Sequence, residues 1–171
     1  MYVNHCQSPL GGITLASDGD AIVGLWFDGQ KYFGAGLPRT CQTEDLPIFQ
    51  ETRRWLELYF QSKRPPDFTP RLRPLGTKFR QAVWDILLKI PYGQTVTYGE
   101  ISKAVARENR LTSMSPQAVG GAVGHNPISL IIPCHRVVGT GGSLTGYAGG
   151  IDKKIALLTL EGVDVSPFSR P

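Results

Sequence analysis

Ile131-Ile132-Pro133-Cys134-His135-Arg136-Val137-Val138 delivers a thiol, an imidazole and a guanidinium consecutively out of an apolar run, and a glycine-rich segment follows at once. Cysteine is the strongest nucleophile among the side chains, and burial and basic neighbours can both act on it here. A free thiol with a pKa near 8.5 is only about 3% thiolate at pH 7, so attack on an electrophile needs a base or an anion-stabilising environment. His135 is the base nearest in sequence, yet adjacent residues of an extended segment point to opposite faces. The spacing therefore predicts that His135 reaches Cys134 through a bridging water or across a sharp turn after Pro133. The imidazole also needs a partner to set its tautomer, and Glu161 is one carboxylate that could fold back to it. A neighbouring Cys-His pair alone does not separate a catalytic thiol from a structural one.

Working upstream, Ser115-Pro116 reads as an N-cap followed by proline at the first helical position. The helix it opens, Gln117 to about His125, is stripped of bulk at Gly120, Gly121, Ala122 and Gly124. Glycine costs roughly 1 kcal/mol against alanine in a helix interior, so the run points to close approach by another backbone or a ligand. Asn126-Pro127 ends it. Thr97 and Glu100 fit a capping box that opens a short helix through about Ala106, and Arg107 to Met114 is a polar loop. Two short helices joined by a loop are compatible with a helix-turn-helix, but helix pairs are common in every fold and the pair alone does not establish one. Before them, Phe79, Val83, Ile86, Leu87 and Ile90 mark an amphipathic helix that Pro91-Tyr92-Gly93 ends. A last helix is expected from Asp152 as N-cap to Glu161, closed by Gly162.

The first third differs in character. Gly12 to Ala16 and Ala21 to Phe27 flank the turn-forming Asp18-Gly19-Asp20 and read as a β-hairpin. An irregular stretch follows to about residue 45. Ile48, Thr52, Trp55, Leu56 and Tyr59 then form a helical stripe that should stop before Pro65-Pro66. Lys63 to Pro74 carries four prolines and reads as a linker, dividing the chain into residues 1–74 and 75–171.

At 171 residues with 41% hydrophobic content, the chain can bury a core as one domain or two small ones. No apolar run reaches the roughly 20 residues that span a bilayer, and no basic-then-hydrophobic leader opens it, so a soluble cytoplasmic protein is expected. Cys6, Cys41 and Cys134 form no recognisable disulfide framework, and His5-Cys6 with Cys41 fits no common zinc spacing. A net charge of +4 permits nucleic-acid binding without demanding it. Arg53, Arg54, Lys63, Arg64, Arg71, Arg73, Lys78 and Arg80, followed by Lys103, Arg107 and Arg110, could equally be a solvated basic face.

Pro133-Cys134-His135-Arg136-Val137 resembles the active-site signature of the O6-alkylguanine-DNA alkyltransferases, single-turnover DNA-repair proteins. Other segments follow in the same order. Pro91-Tyr92-Gly93 through Thr97-Tyr98 looks like the family's P-x-G-x-V-x-Y segment, and Asn126-Pro127 is similar to its asparagine hinge. Gly146-Tyr147-Ala148-Gly149-Gly150 resembles its Y-x-G-G loop, and Leu160-Glu161-Gly162 its L-x-x-E-G ending. The likeness is strong from Phe79 to Gly162 and weak over the first 70 residues, where Ser8-Pro9-Leu10-Gly11 is like the family's opening strand.

The resemblance implies an α/β (α+β) fold: a small sheet-and-helix N-terminal domain, ribonuclease H-like, and a mostly helical C-terminal domain with a helix-turn-helix. It implies direct-reversal repair in which Cys134 irreversibly accepts the alkyl group of O6-alkylguanine in double-stranded DNA, without metal or cofactor, by a monomer. His135 would take the thiol proton through a water, Glu161 would hold its tautomer, and Asn126 would organise the turn. The Tyr98 hydroxyl would assist the departing guanine. Gln117, Ala118, Gly120, Gly121, Arg136, Val137, Tyr147 and Ala148 would contact the DNA or the flipped base.

Two departures stand out: the family carries an arginine where Gln117 stands, and many members a serine where Ala148 stands. The loop before Gln117 is also several residues longer than usual, so Arg107 or Arg110 could compensate. Two other readings are a non-catalytic binder of alkylated DNA, which in that related group lacks the cysteine, and a Cys-His acyl hydrolase, which would turn over.

Overall fold

A computed structural model describes residues 1–171. They divide into two compact units, Met1–Leu75 with Pro127–Ile131, and Gly76–Asn126 with Ile132–Pro171. The five residues Pro127–Ile131 are the exception to a division of the chain into two successive pieces.

The first unit is a four-stranded sheet with one helix. Strands β1 (Tyr2–Ser8), β2 (Gly11–Ser17), β3 (Ile22–Phe27) and β4 (Gln42–Thr43) lie in the order β3-β2-β1-β4, antiparallel except for the parallel β1–β4 pair. The expected β2–β3 hairpin is present. The Asp18 carboxylate accepts hydrogen bonds from the backbone N–H groups of Asp20 (3.0 Å) and Ala21 (2.9 Å), an Asx turn that fixes the reversal. Ser8-Pro9-Leu10-Gly11 is not itself a strand. It is the turn between β1 and β2, closed by Ser8 Oγ donating to the Gly11 carbonyl at 2.7 Å. Strand β1 escapes the sequence pattern because its alternation is weak and no residue in it is fully buried.

Helix α1 (Pro47–Ser62) buries the stripe Ile48, Phe49, Thr52, Trp55, Leu56 and Tyr59 and ends before Pro65-Pro66 as expected. The proline-rich stretch after it is not a free tether. Ile22 N–H donates to the Arg71 carbonyl and Arg73 N–H to the Ile22 carbonyl, both at 2.8 Å. Pro127–Ile131 uses the same strand, with Leu25 N–H donating to Pro127 at 2.8 Å and Ser129 N–H to Leu25 at 2.9 Å. Residues 71–73 and 127–129 thus cover the outer edge of β3, which would otherwise present unpaired backbone groups.

The second unit packs α2 (Lys78–Leu87), α3 (Tyr98–Glu108), α4 (Pro116–Gly124) and α5 (Ile151–Leu160) around a parallel pair of two-residue strands, β5 (Val96–Thr97) and β6 (Val137–Val138). Side chains cap three of these helices: Thr77 for α2, the Thr97–Glu100 capping box for α3 and Ser115 for α4. Each cap contributes on the order of 1 kcal/mol. Trp84 ties α2 to α4 by donating its indole N–H to the Ala122 carbonyl at 2.9 Å.

Three boundaries differ from expectation. Helix α2 stops at Leu87, although Ile90 is still buried, because residues 88–90 tighten into turns bonded to Ile86 and Leu87. Helix α3 continues two residues past Ala106. Gly150, not Asp152, occupies the N-cap of α5, and Asp152 lies exposed in the first turn in a 3.1 Å ion pair with Arg170. No helix is long and apolar enough to cross a membrane.

Candidate active site

Pro133 (φ −83°, ψ 63°) sits at the centre of an inverse γ-turn in which Cys134 N–H donates to the Ile132 carbonyl at 2.8 Å. Asn126 braces that turn through its side-chain amide, which donates to the same carbonyl at 2.8 Å. Cys134–Arg136 then form one turn of 3-10 helix. The extended course assumed for this segment is therefore replaced by the sharp turn. With three residues per turn, consecutive side chains diverge by about 120°, so Cys134 and His135 still point apart.

The second and third residues of that turn converge on Glu161. His135 Nε2 lies 2.6 Å from Glu161 Oε2, while Arg136 donates from Nε to Oε1 at 2.8 Å and from Nη2 to Oε2 at 3.0 Å. Gly93 N–H adds a bond to Oε1 at 2.9 Å. Burial pushes the Glu161 carboxyl up, but His135 and Arg136 outweigh it and hold the group well below the usual carboxylate range. Glu161 is therefore an anion, and a carboxylate can only accept. His135 must hold its proton on Nε2, which leaves Nδ1 in the accepting form. Burial lowers the imidazole pKa against the opposing pull of Glu161, so the ring is neutral and able to act as a base.

Arg136 does not belong with the DNA-contacting residues. It is 8% exposed, its guanidinium is spent on Glu161 and on the Ile90 carbonyl (2.8 Å), and Tyr92 stacks near it at 5.7 Å.

Cys134 is 6% exposed, and burial raises its thiol pKa against smaller opposing effects of Asn126 and Lys154. Lys154 is fully buried on α5 and was not singled out from sequence. Its ammonium donates to the carbonyls of Val137 and Thr145, the latter at 3.2 Å. Burial pulls its pKa down to about 8, with Cys134 acting in the opposite direction. The available signal was positional: Lys154, Leu157, Leu158 and Glu161 fall on one helical stripe, and all four are buried. A lysine and a glutamate on the stripe that faces the core are expected to have partners there.

Tyr98, at the start of α3, donates its hydroxyl to the Thr145 carbonyl at 3.1 Å, and burial pushes its pKa up to about 12. Gly146 must be a glycine: its φ is +84°, and a Cβ there would lie 2.6 Å from the Tyr98 oxygen. The Tyr147 hydroxyl is buried without a hydrogen-bond partner in the protein, and its ring lies 6.5 Å from that of His135. Val137 is buried in β6 and Ala148 half-buried.

A cleft of about 360 Å³ is lined by Tyr98, Pro116, Gln117, Gly120, Thr145 and Gly146. Gln117 and Ala118 are exposed in the first turn of α4, where Ser115 Oγ donates to the Gln117 amide oxygen at 3.0 Å. The glycines of α4 have little protein against them, whereas Ala122 is buried. Gly120 has only the Tyr98 ring at 4.0 Å, and Gly121 and Gly124 have open space. His5, Cys6 and Cys41 are not gathered into a metal-binding group, and the His5 ring bonds Thr14 instead.

A buried Cys134 followed in sequence by a neutral His135 that Glu161 holds, in a unit that also carries the α3–α4 pair with its bare second helix, defines a candidate thiol site in a two-unit α/β protein. The description of 6-O-methylguanine DNA methyltransferase fits the chain twice: the ribonuclease-like domain matches residues 1–74 and the DNA-binding domain residues 78–163. A methylated-DNA–protein-cysteine methyltransferase of Haemophilus influenzae is 40% identical over 94% of this chain and 86% of its own length. The Mycobacterium tuberculosis protein of that name is 44% identical, over 94% and 92%. A crystal structure of Mycobacterium tuberculosis OGT in complex with DNA superposes with a TM-score of 0.80 at 40% identity, covering 98% of this chain and 95% of that one. The chain belongs to the 6-O-methylguanine DNA methyltransferase family.

Proposed function

We propose that the chain repairs DNA by moving an alkyl group, a methyl in the simplest case, from O6 of guanine in a duplex to Sγ of Cys134. The observation that carries this reading is the pairing of a protonated, buried Cys134 with a neutral His135 whose Nε2 proton is committed to Glu161. The thiol proton passes through a water to His135 Nδ1, and the resulting thiolate lies in the field of the Lys154 ammonium and the Asn126 amide. Sulfur attacks the saturated carbon as the C–O6 bond breaks, and the bonding pair leaves with the guanine. Tyr98, whose high pKa keeps it a hydrogen-bond donor, exchanges the Thr145 carbonyl for the departing base and stabilises the developing anion. The guanine takes up one proton from water and His135 gives one back, so the net step moves the thiol proton to the base. The product is a thioether with no carbonyl for water to attack, so each molecule acts once.

A base inside a duplex can reach Cys134 only if it is flipped out of the stack, which costs a few kcal/mol. The bare face of α4 allows the DNA backbone to approach. Cys6, Cys41 and Cys134 are free thiols, which suits a reducing compartment such as the cytoplasm.

Incubation with a short duplex bearing O6-methylguanine should add one methylene mass to the intact protein, and Cys134→Ala should abolish the gain. An unmodified, intact thiol after excess duplex would sink the proposal. A Cys-His acyl hydrolase would instead show repeated turnover, and a non-catalytic binder would hold the duplex without gaining mass.

A further inference from the structure

Helix α4, Pro116-Gln117-Ala118-Val119-Gly120-Gly121-Ala122-Val123-Gly124, contains no charged side chain, and the cleft it helps to line contains none either. A duplex held there must find its counter-charge elsewhere, since phosphate neutralisation dominates affinity for DNA. The exposed cations nearest in the chain are Lys103, Arg107 and Arg110, none of them in an ion pair. The acidic side chains of α3 are already committed, Glu100 to the capping box and Glu108 to Lys89 at 2.8 Å.

The backbone separates Arg110 from the other two. Leu111 N–H donates to the Ala106 carbonyl at 2.8 Å and Arg110 N–H to the Arg107 carbonyl at 3.3 Å, the two bonds of a Schellman motif with Arg110 at the left-handed position. Its φ is +56°. Glycine normally fills that position, and a side chain there costs on the order of 1 kcal/mol or more. Nothing within the chain rewards the arginine, because its guanidinium has no ion-pair or hydrogen-bond partner. Arg107, by contrast, faces a groove of about 220 Å³ that it lines with Lys89, Ile90, Ile101 and Ala104. Arg110 opens the short loop that enters α4 at Ser115, next to Pro116 and Gln117 at the cleft mouth.

We infer that Arg110, not Arg107, is a DNA-phosphate contact, and that it supplies from the loop the positive charge that α4 lacks at Gln117. The inference rests on the proposed action on duplex DNA. It makes the strained turn a device for aiming a cation rather than a defect of the helix end.

The test is equilibrium binding to a fluorescent duplex across a potassium chloride series. Arg110→Gly should lower the slope of log K against log salt by about 0.9, the value of one phosphate contact. It should leave the urea midpoint unchanged or raised, because glycine relieves the left-handed turn. Arg110→Lys should restore the slope and Arg107→Gln should leave it intact, while Gln117→Arg should steepen it. An unchanged slope in Arg110→Gly, or an equal loss in Arg107→Gln, overturns the assignment. Mass gain on Cys134 from an O6-methylguanine duplex at low salt reads the function separately. Mass gain with no slope change removes only the role of Arg110, whereas no gain in the unsubstituted protein removes the functional reading itself.

Discussion

Arg71 in the first unit and Arg136 in the second both fork onto carboxylates, in opposite surroundings. Arg71 Nη1 holds both oxygens of Asp20 at 2.8 and 2.9 Å with side chains 65% and 57% exposed, whereas the Glu161 side chain that Arg136 grips is fully buried. Arg73 bridges Asp18 and Asp20 in the same exposed cluster. The Asp18 carboxyl is held down to about 2 chiefly by the Ala21 backbone N–H, with Arg73 a lesser cause. Exposed pairs of this kind are screened by water and salt and add little to stability. A buried pair is different. Its desolvation cost nearly cancels its attraction, but removal of one partner strands the other charge away from water. Charge in the Asp18–Asp20 cluster stays at the solvated surface, while around Glu161 it sets a protonation state. Glu161 cannot be exchanged without altering both His135 and Arg136.

The largest effect is expected at the buried Glu161 cluster. Glu161→Ala should cost about 3–5 kcal/mol in urea-induced unfolding and abolish methyl transfer, because it strands the Arg136 guanidinium and frees the His135 tautomer. A loss no larger than that of an exposed pair would break the comparison.

The next largest effect is expected at Lys154. Its folded pKa, about 8, lies below its ordinary 10.5, so between those values the unfolded chain binds more protons and stability rises with pH. The penalty of burying the ammonium is full below about pH 8 and fades as pH climbs to 10.5. Lys154→Met should therefore be more stable than the unsubstituted protein near pH 7, by up to about 3 kcal/mol, with the gap closing by pH 10.5. The same substitution should slow alkylation of Cys134 by iodoacetamide about tenfold at pH 7, through loss of thiolate stabilisation of about 1.4 kcal/mol. A pH-independent gap, or undiminished thiol reactivity, would show that Lys154 is not the buried cation acting on Cys134.

The smallest effect is expected at the sheet edge. Arg73→Gln should leave the urea midpoint and the transfer rate within experimental scatter, at low and at high salt. A clear loss would mean that the first unit depends on its charges as the second does.

Some of this organisation is legible from local sequence because local physics decides it. The Thr97–Glu100 capping box, Ser115-Pro116, the Asp18-Gly19-Asp20 reversal and the stripe from Ile48 to Tyr59 need only neighbours within a few residues, and each element forms where those neighbours place it. Cys134 and His135 draw notice by their identity, but a neighbouring Cys-His pair alone does not separate a catalytic thiol from a structural one. The rest lies in long-range contacts. Whether 71–73 and 127–129 hang free or cover β3 depends on a strand about fifty to a hundred residues away. Local sequence shows neither that Arg136 turns inward nor that Lys154 is fully buried, because an arginine and a lysine are ordinarily surface residues. Local sequence was enough to place the Cys134-His135-Arg136 run, the helix boundaries set by caps, and the likeness to the family. The protonation state of that thiol and its neighbours comes from the folded chain, because burial and the gathering of His135, Arg136, Lys154 and Glu161 from separate elements set which protons are held and which can move.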